Sequence, residues 1–408
     1  MKIMQITQSY PPMISGASLI VAELAKGLAQ AGHEVLVVAA SERPEGYGQQ
    51  DGRLRIERLP SWHNPVRVGQ RFMVWPQRPL MKLAQSFQPD VIHIHEPLAL
   101  SVCGLKAAKT MNVPAVLTLH QLPWFVTKYT RWLNFEWLLW AYGRHALKQY
   151  AAHIVPMAQI AGVVQQYTGC PSCVIPHGLD LARFQTDDET GGEAASLRHK
   201  YGLPANKPVM LHVGRLDVDK NVQYVLQAVA QVTAVVEAEL LIVGDGRQRQ
   251  ALEKLAEVLG IAEHCHFTGF VAPEGDLSGV YHLADLFVTA SEIETLGIVI
   301  LEAMASACPV VAVNATCMSE LVHDQHGGFL VNPQDIEGLA AKMIWLLQNP
   351  EAARQMGQYG QAISHQYSLE MMVKEHLELY QVVQEARAPL PVASSAVTPT
   401  HVQHREAK

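Results

Sequence analysis

Long apolar runs are missing from this chain. Hydrophobic residues make up 49% of its 408 residues, yet no eighteen of them are consecutive, so no membrane-spanning helix is expected. Its first residues, MKIMQITQSYPP, go straight into a strand pattern and lack the charged and apolar regions of a signal peptide. Cysteine is scarce. The six, at positions 103, 170, 173, 265, 308 and 317, are scattered, which suggests reduced thiols and a cytoplasmic protein. Cys170 and Cys173 have the spacing of a redox or zinc pair, but no second pair follows, and no metal site is assigned to them. Basic charge is in deficit as well. The net charge is −7, and no nucleic-acid partner is expected.

That balance is uneven. Residues 1–185 carry 17 Lys+Arg against 10 Asp+Glu, or +7, and residues 186–408 carry 14 against 28, or −14. A basic first half fits a surface that faces anions. The aromatic residues are also concentrated there. Residues 58–89 hold Arg67, Arg71, Arg78 and Lys82 interleaved with Trp62, Phe72 and Trp75. Residues 122–150 hold Trp124, Trp132, Trp137 and Trp140 beside Lys128, Arg131, Arg144 and Lys148. Indoles with cations suit a membrane interface, where Trp sits at headgroup level and Lys or Arg meets anionic lipid. Packed core helices are the structural alternative.

The length suffices for two domains, each with its own core. Residues 2–7 read as a strand, 19–31 as a helix closed by Gly32, and 34–39 as a second strand. This is the opening of a doubly wound α/β sheet. Gly16, in the loop before that helix, would let backbone approach a phosphate or sugar closely. Strands follow at 90–95 and 114–119. The second of these ends at His120, on the edge where parallel sheets bind ligands. His93 and His95 share one strand face without a third ligand and are read as strand-end polar residues. A polar stretch, 181–195, is expected to be a flexible hinge. Beyond it, strand–turn–helix units resume at 208–213 and 240–243, and residues 369–385 form a long last helix. The expected domains are 1–185 and 196–365, followed by a disordered tail, 386–408.

Residues 289–313, TASEIETLGIVILEAMASACPVVAV, organise the second half. Glu294 lies in a loop and Glu302 eight positions later in a helix, so both can address one cleft. Leu296, Gly297 and Ile298 lie at the helix start, where free amides and the positive dipole end suit a phosphate. Flanking acids would repel that phosphate but suit neutral hydroxyl-rich groups on either side of it. Upstream, Arg215 offers a planar fork and Lys220 a point charge, the pair a diphosphate requires, each charged hydrogen bond being worth roughly 1.5–3 kcal/mol. Asp217 and Asp219 between them mimic a metal-binding Asp-x-Asp but are read as incidental.

The Glu-x7-Glu spacing with Ala303-Met304-Ala305 and Pro309-Val-Val-Ala312, together with Gly214-Arg-Leu-x3-Lys220 and VIPHGLD at 174–180, resembles the family-four retaining glycosyltransferases of GT-B architecture. In look the chain is most similar to diacylglycerol glucosyltransferases. It departs from the family's usual residues at Leu296 for Phe, Ala307 and Ala17 for Gly, and His177 for Asn, and again over residues 314–320, where the family is often Gly-rich. The resemblance implies two Rossmann-like domains facing a cleft, with the last helix returning onto the first domain. It implies a hexose, glucose from UDP-glucose, moved with retention and without a metal or other cofactor to a lipid such as diacylglycerol. The enzyme would be peripheral on the inner face of the membrane. Arg215 and Lys220 would hold the diphosphate, Glu302 the ribose, Glu294 the sugar, and His120 would line the cleft against the donor sugar. Two alternatives stay open: a soluble transferase with a polysaccharide or small-molecule acceptor, and a non-catalytic sugar-nucleotide-binding protein.

Overall fold

Short β-branched runs alternating with amphipathic helices build two parallel sheets, each covered by helices on both faces. The computed structural model describes every residue except 14, 64–70, 74–75, 96–98, 121–135, 185–191, 273–274, 293–296, 316–317 and 387–408. The first lobe runs β1 (Lys2–Ile6), α1 (Gly16–Gln30), β2 (Glu34–Ala40), β3 (Tyr47–Asp51), β4 (Leu54–Leu59), β5 (Trp62–His63), β6 (Arg71–Phe72) and α2 (Gln77–Phe87). It continues with β7 (Val91–Ile94), α3 (Ala99–Met111), β8 (Ala115–Thr118), α4 (Glu136–Leu147), β9 (Ala152–Val155), α5 (Ala158–Thr168) and β10 (Cys173–Val174). Its sheet has the order β10-β9-β8-β7-β1-β2-β4-β3, parallel except for β3 against β4. Strand alternation sorts the core: Ile3 packs among the residues of α1 on one face, whereas Met4 and Ile6 pack into the core on the other.

The second lobe comprises α6 (Gly192–Lys200), β11 (Val209–Val213), α7 (Val222–Thr233), β12 (Glu239–Val243), α8 (Arg249–Val258), β13 (Cys265–Gly269), α9 (Leu277–Leu283) and β14 (Leu286–Thr289). It closes with α10 (Ile298–Ala305), β15 (Val310–Val313), α11 (Met318–Leu321), β16 (Gly328–Val331), α12 (Ile336–Gln348) and α13 (Pro350–Ser364). Its six strands, in the order β13-β12-β11-β14-β15-β16, are all parallel. The last helix, α14 (Leu369–Ala386), crosses back onto the first lobe, where Met372, Val373 and Tyr380 join the α1 core.

Two features differ in detail from the sequence expectation. Helix α1 begins at Gly16 rather than residue 19, because Ser15 and Ser18 form a capping box: the Ser18 amide donates to Ser15 Oγ (3.1 Å) and the Ser15 amide to Ser18 Oγ (2.8 Å). The expected hinge is structured at both described ends. Leu181–Phe184 is a 3-10 turn whose Phe184 packs edge-on against Tyr281, and α6 packs on α9. The buried aromatic ring overrides the polar composition around it. Ala307, standing where glycine is usual, adopts a left-handed backbone (φ 55°), which is the reason a glycine suits that turn. No helix among the described residues is long and apolar enough to cross a membrane.

Candidate active site

In the second sheet β11 lies between β12 and β14, so the chain leaves in opposite directions on its two sides. Loops at the carboxyl ends of β11 and β14 therefore border a crevice, the position where open α/β sheets hold ligands. Arg215 follows β11 by two residues. Its guanidinium is gripped by Asp217 and lies 3.1 Å from Asp219 Oδ2, so the acidic pair orients the arginine. Lys220 closes the 3-10 turn Val218–Lys220. Burial above all, and then the Lys220 charge, push the neighbouring His212 down to about 4, against the raising effect of the Val288 carbonyl it bonds at 3.0 Å. Asn221, left-handed at φ 52°, ties the two loops together: its Nδ2 donates to the Ala290 carbonyl (3.3 Å) and to Glu292 Oε1 (3.2 Å). The Gly244-Asp-Gly246 turn supports the Arg215 loop from below. A Cβ on Gly244 would lie 1.8 Å from the Gly214 carbonyl oxygen, and one on Gly246 2.4 Å from that of Leu216. These two glycines thus serve close backbone packing.

Gly297 is the first cap of α10, left-handed at φ 60°, and no described side chain caps the helix start. A Cβ on Gly297 would lie 2.2 Å from Leu321 Cδ1, and the left-handed backbone is what favours glycine there. Ile298 opens the helix and Glu302 lies one turn in. Tyr281 from α9 donates its hydroxyl to Glu302 Oε2 at 2.7 Å. Burial pushes the Glu302 carboxyl up to about 7, while that bond and the Arg183 charge pull it the other way. At neutral pH this carboxyl therefore sits near half-protonation, well placed to exchange hydrogen bonds with hydroxyl groups. Glu294 and Leu296 lie outside the described residues.

The structure brings Arg215, Lys220, Gly297, Ile298 and Glu302 to one edge of the second sheet. It places His120 elsewhere, within the first lobe at the end of β8. There it is 2% exposed, with Nε2 3.2 Å from His95 Nδ1 and its ring stacked on His177 (centroids 5.4 Å apart); its Nδ1 is buried without a hydrogen-bond partner. His93 bridges Thr118 (2.7 Å) and the Tyr380 hydroxyl (2.6 Å), and His376 of α14 lies 5.5 Å from His93. Burial is the largest cause holding all five imidazoles below their usual range, with His120 at about 3 and His376 at about 4. His120 is therefore a neutral polar group rather than a cation.

Gly16 occupies the first position of α1, beside the capping box. Arg71 turns inward: its guanidinium donates to Ser61 Oγ (2.6 Å) and to the Ser61 carbonyl (2.7 Å), which fastens the β5–β6 hairpin. Arg67, Trp75, Trp124, Lys128, Arg131 and Trp132 lie outside the described residues. Of the neighbouring aromatics, Trp137 (71% exposed) and Tyr142 (50%) on α4 face outward. The sequence reading did not single out Tyr281 or Arg183. Nothing local marks them, since each acts on a carboxylate far along the chain.

Two family models cover most of the chain: Glycosyltransferase Family 4 matches residues 14–183, and Glycosyl transferases group 1 matches residues 194–363. The chain is 26% identical over 397 residues to an alpha-monoglucosyldiacylglycerol synthase of Acholeplasma laidlawii, covering 93% of this chain and 96% of that protein. It is 30% identical over 339 residues to a GDP-mannose-dependent alpha-mannosyltransferase of Mycobacterium tuberculosis, covering 81% and 84%. Among solved structures, HepE of Anabaena in complex with UDP-glucose superposes with a TM-score of 0.75 at 22% identity, over 93% of this chain and 99% of that one.

Proposed function

The chain belongs to glycosyltransferase family 4 and is a glycosyltransferase of GT-B fold; from that premise we propose that it moves glucose from UDP-glucose to a lipid acceptor such as diacylglycerol, with retention. The single observation that carries the donor half is the Asn221 tie. It joins the Arg215–Lys220 loop to the loop leading into α10, so two cations, a helix start and a buried carboxyl border one crevice. In this reading the diphosphate lies against Arg215, Lys220 and the α10 amides, and the ribose hydroxyls bond Glu302. Glu294 meets the sugar, and Leu296, Ile298 and Gly16 line the donor.

The chemistry follows from the leaving group. The C1–O bond to the diphosphate breaks, negative charge gathers on the departing oxygen, and Arg215 and Lys220 meet it without a metal ion. The acceptor hydroxyl attacks C1 from the same face, and its proton passes to the departing phosphate oxygen. His120, neutral and buried, contributes polarity beside the sugar rather than proton abstraction. The lipid acceptor is supported by the name of the Acholeplasma relative and by the outward aromatics of α4 next to Arg144. The UDP donor is supported by the ligand named in the HepE structure. The test is incubation of the pure protein with UDP-glucose and vesicles of dioleoylglycerol in phosphatidylglycerol, with and without EDTA. An α-linked glucolipid formed equally in both agrees with the proposal. A β-linked product, loss of activity in EDTA, or failure to bind the vesicles contradicts the corresponding part of it.

A further inference from the structure

Where the lobes meet, the start of α5 lacks a cap of its own: Met157 stands at the capping position and offers no side-chain bond. The cap comes from the other lobe. Glu320 on α11 accepts the Ala158 amide at Oε2 (2.9 Å) and the Gln159 amide at Oε1 (2.7 Å), and Gln159 Nε2 donates to Ser319 Oγ (2.9 Å). A carboxylate taking two amides at the positive end of an eleven-residue helix makes charge-assisted bonds, stronger than an exposed ion pair. The Glu320 carbonyl also accepts the Tyr367 hydroxyl (3.4 Å), immediately before the chain crosses back to the first lobe. The next residue, Leu321, covers Gly297 at the start of α10, and the Met157 methyl lies 3.8 Å from where a Gly297 Cβ would be. One turn of helix thus touches the starts of both α10 and α5.

We propose that Glu320 is a positioning residue of the transfer reaction: it clasps α5 of the acceptor lobe to the donor lobe, and Leu321 makes that grip continuous with the donor-binding start of α10. The clasp requires that the chain transfer a glycosyl group between its lobes, whatever the donor and acceptor. Without Glu320 the lobes separate more readily, while the donor half-site keeps all its own residues.

Hydrogen exchange on the full-length protein reads the clasp without any substrate. In Glu320→Ala, exchange over residues 156–165 should quicken about tenfold, and in Glu320→Gln somewhat less, with residues 209–233 unchanged. Glu320→Asp should restore part of the protection. Small-angle scattering should show a larger radius of gyration in the Ala variant. With UDP-glucose and dioleoylglycerol vesicles, Glu320→Gln should lower kcat about tenfold and leave KM for UDP-glucose within about twofold. Unchanged exchange at 156–165, or exchange raised throughout the protein, overturns the proposal. So does a raised KM with kcat intact. Absence of wild-type turnover with this donor and acceptor pair counts against the substrates proposed above, and the exchange result then decides the clasp alone.

Discussion

Lowering the pH from 7 to 5.5 should unfasten the first lobe, because five buried imidazoles must stay neutral for it to remain folded. His93, His95, His120, His177 and His376 are all held below the ordinary histidine value of 6.5, His120 at about 3 and His376 at about 4. The unfolded chain binds protons at these sites first, so their stabilisation is fully present above 6.5 and is lost as pH falls toward 4. Between pH 7 and 5.5 His120, at about 3, and His376, at about 4, each contribute a loss on the order of 1 kcal/mol, and His93, His95 and His177 act in the same direction. His212, at about 4, adds a loss of the same order, whereas Glu302, raised to about 7, binds a proton in the fold first and opposes it. A net loss of a few kcal/mol is a large part of the stability of a typical domain. Six of the seven tryptophans precede residue 150, so urea unfolding followed by tryptophan fluorescence reports on the first lobe. The midpoint should fall from pH 7 to 5.5, and His376→Met should reduce that dependence. A midpoint that stays level over this interval would refute the assignment of neutral buried imidazoles.

Donor affinity should follow the Glu302 carboxyl: UDP-glucose binding, measured calorimetrically, should weaken about tenfold from pH 8 to 6 as the group at about 7 protonates, and Glu302→Gln should make it pH-independent. A tenfold dependence persisting in the Gln variant would clear Glu302 of this role. Lys220→Ala should cut turnover roughly 100-fold and donor binding far less, since the lysine charge is needed most as the diphosphate departs; equal losses in both would count against it. Ala307→Gly should raise stability by roughly 0.5–1 kcal/mol in thermal or urea unfolding, because the alanine sits at φ 55°, and a destabilised Gly variant contradicts that account.

Much of this architecture was legible in sequence because its causes are local. Strand-turn-helix alternation, Gly32 after α1 and Gly297 before α10 each follow from short-range patterns, whereas the return of α14 onto the first lobe was implied by the family resemblance. Arg215 and Lys220 stood out by their charge chemistry and by the match of Gly214-Arg-Leu-x3-Lys220 to the family motif. The partnership of Asp217 and Asp219 with Arg215 needed coordinates. What escaped is long-range. Tyr281 reaches Glu302 across 21 residues, Tyr380 reaches His93 across 287, and Glu320 reaches Ala158 across 162. No periodicity encodes such meetings; they arise when helices cross from one layer to the next. His120 was expected at the cleft from its place after β8. Burial, and then the His376 charge from α14, hold it neutral, and the rings that flank it, His95 and His177, come from the ends of β7 and β10. Arg71 looked like a surface cation in a basic run, yet a two-strand hairpin turned it inward.

The central claim is that one crevice of the second lobe grips the donor diphosphate. A crystal structure of the complex with UDP-glucose tests it most directly. The account predicts phosphate oxygens within hydrogen-bond distance of the Arg215 guanidinium, the Lys220 ammonium and the amides that open α10, with the ribose on Glu302. A nucleotide bound away from the ends of β11 and β14, or with its ribose more than one residue's reach from Glu302, would contradict it.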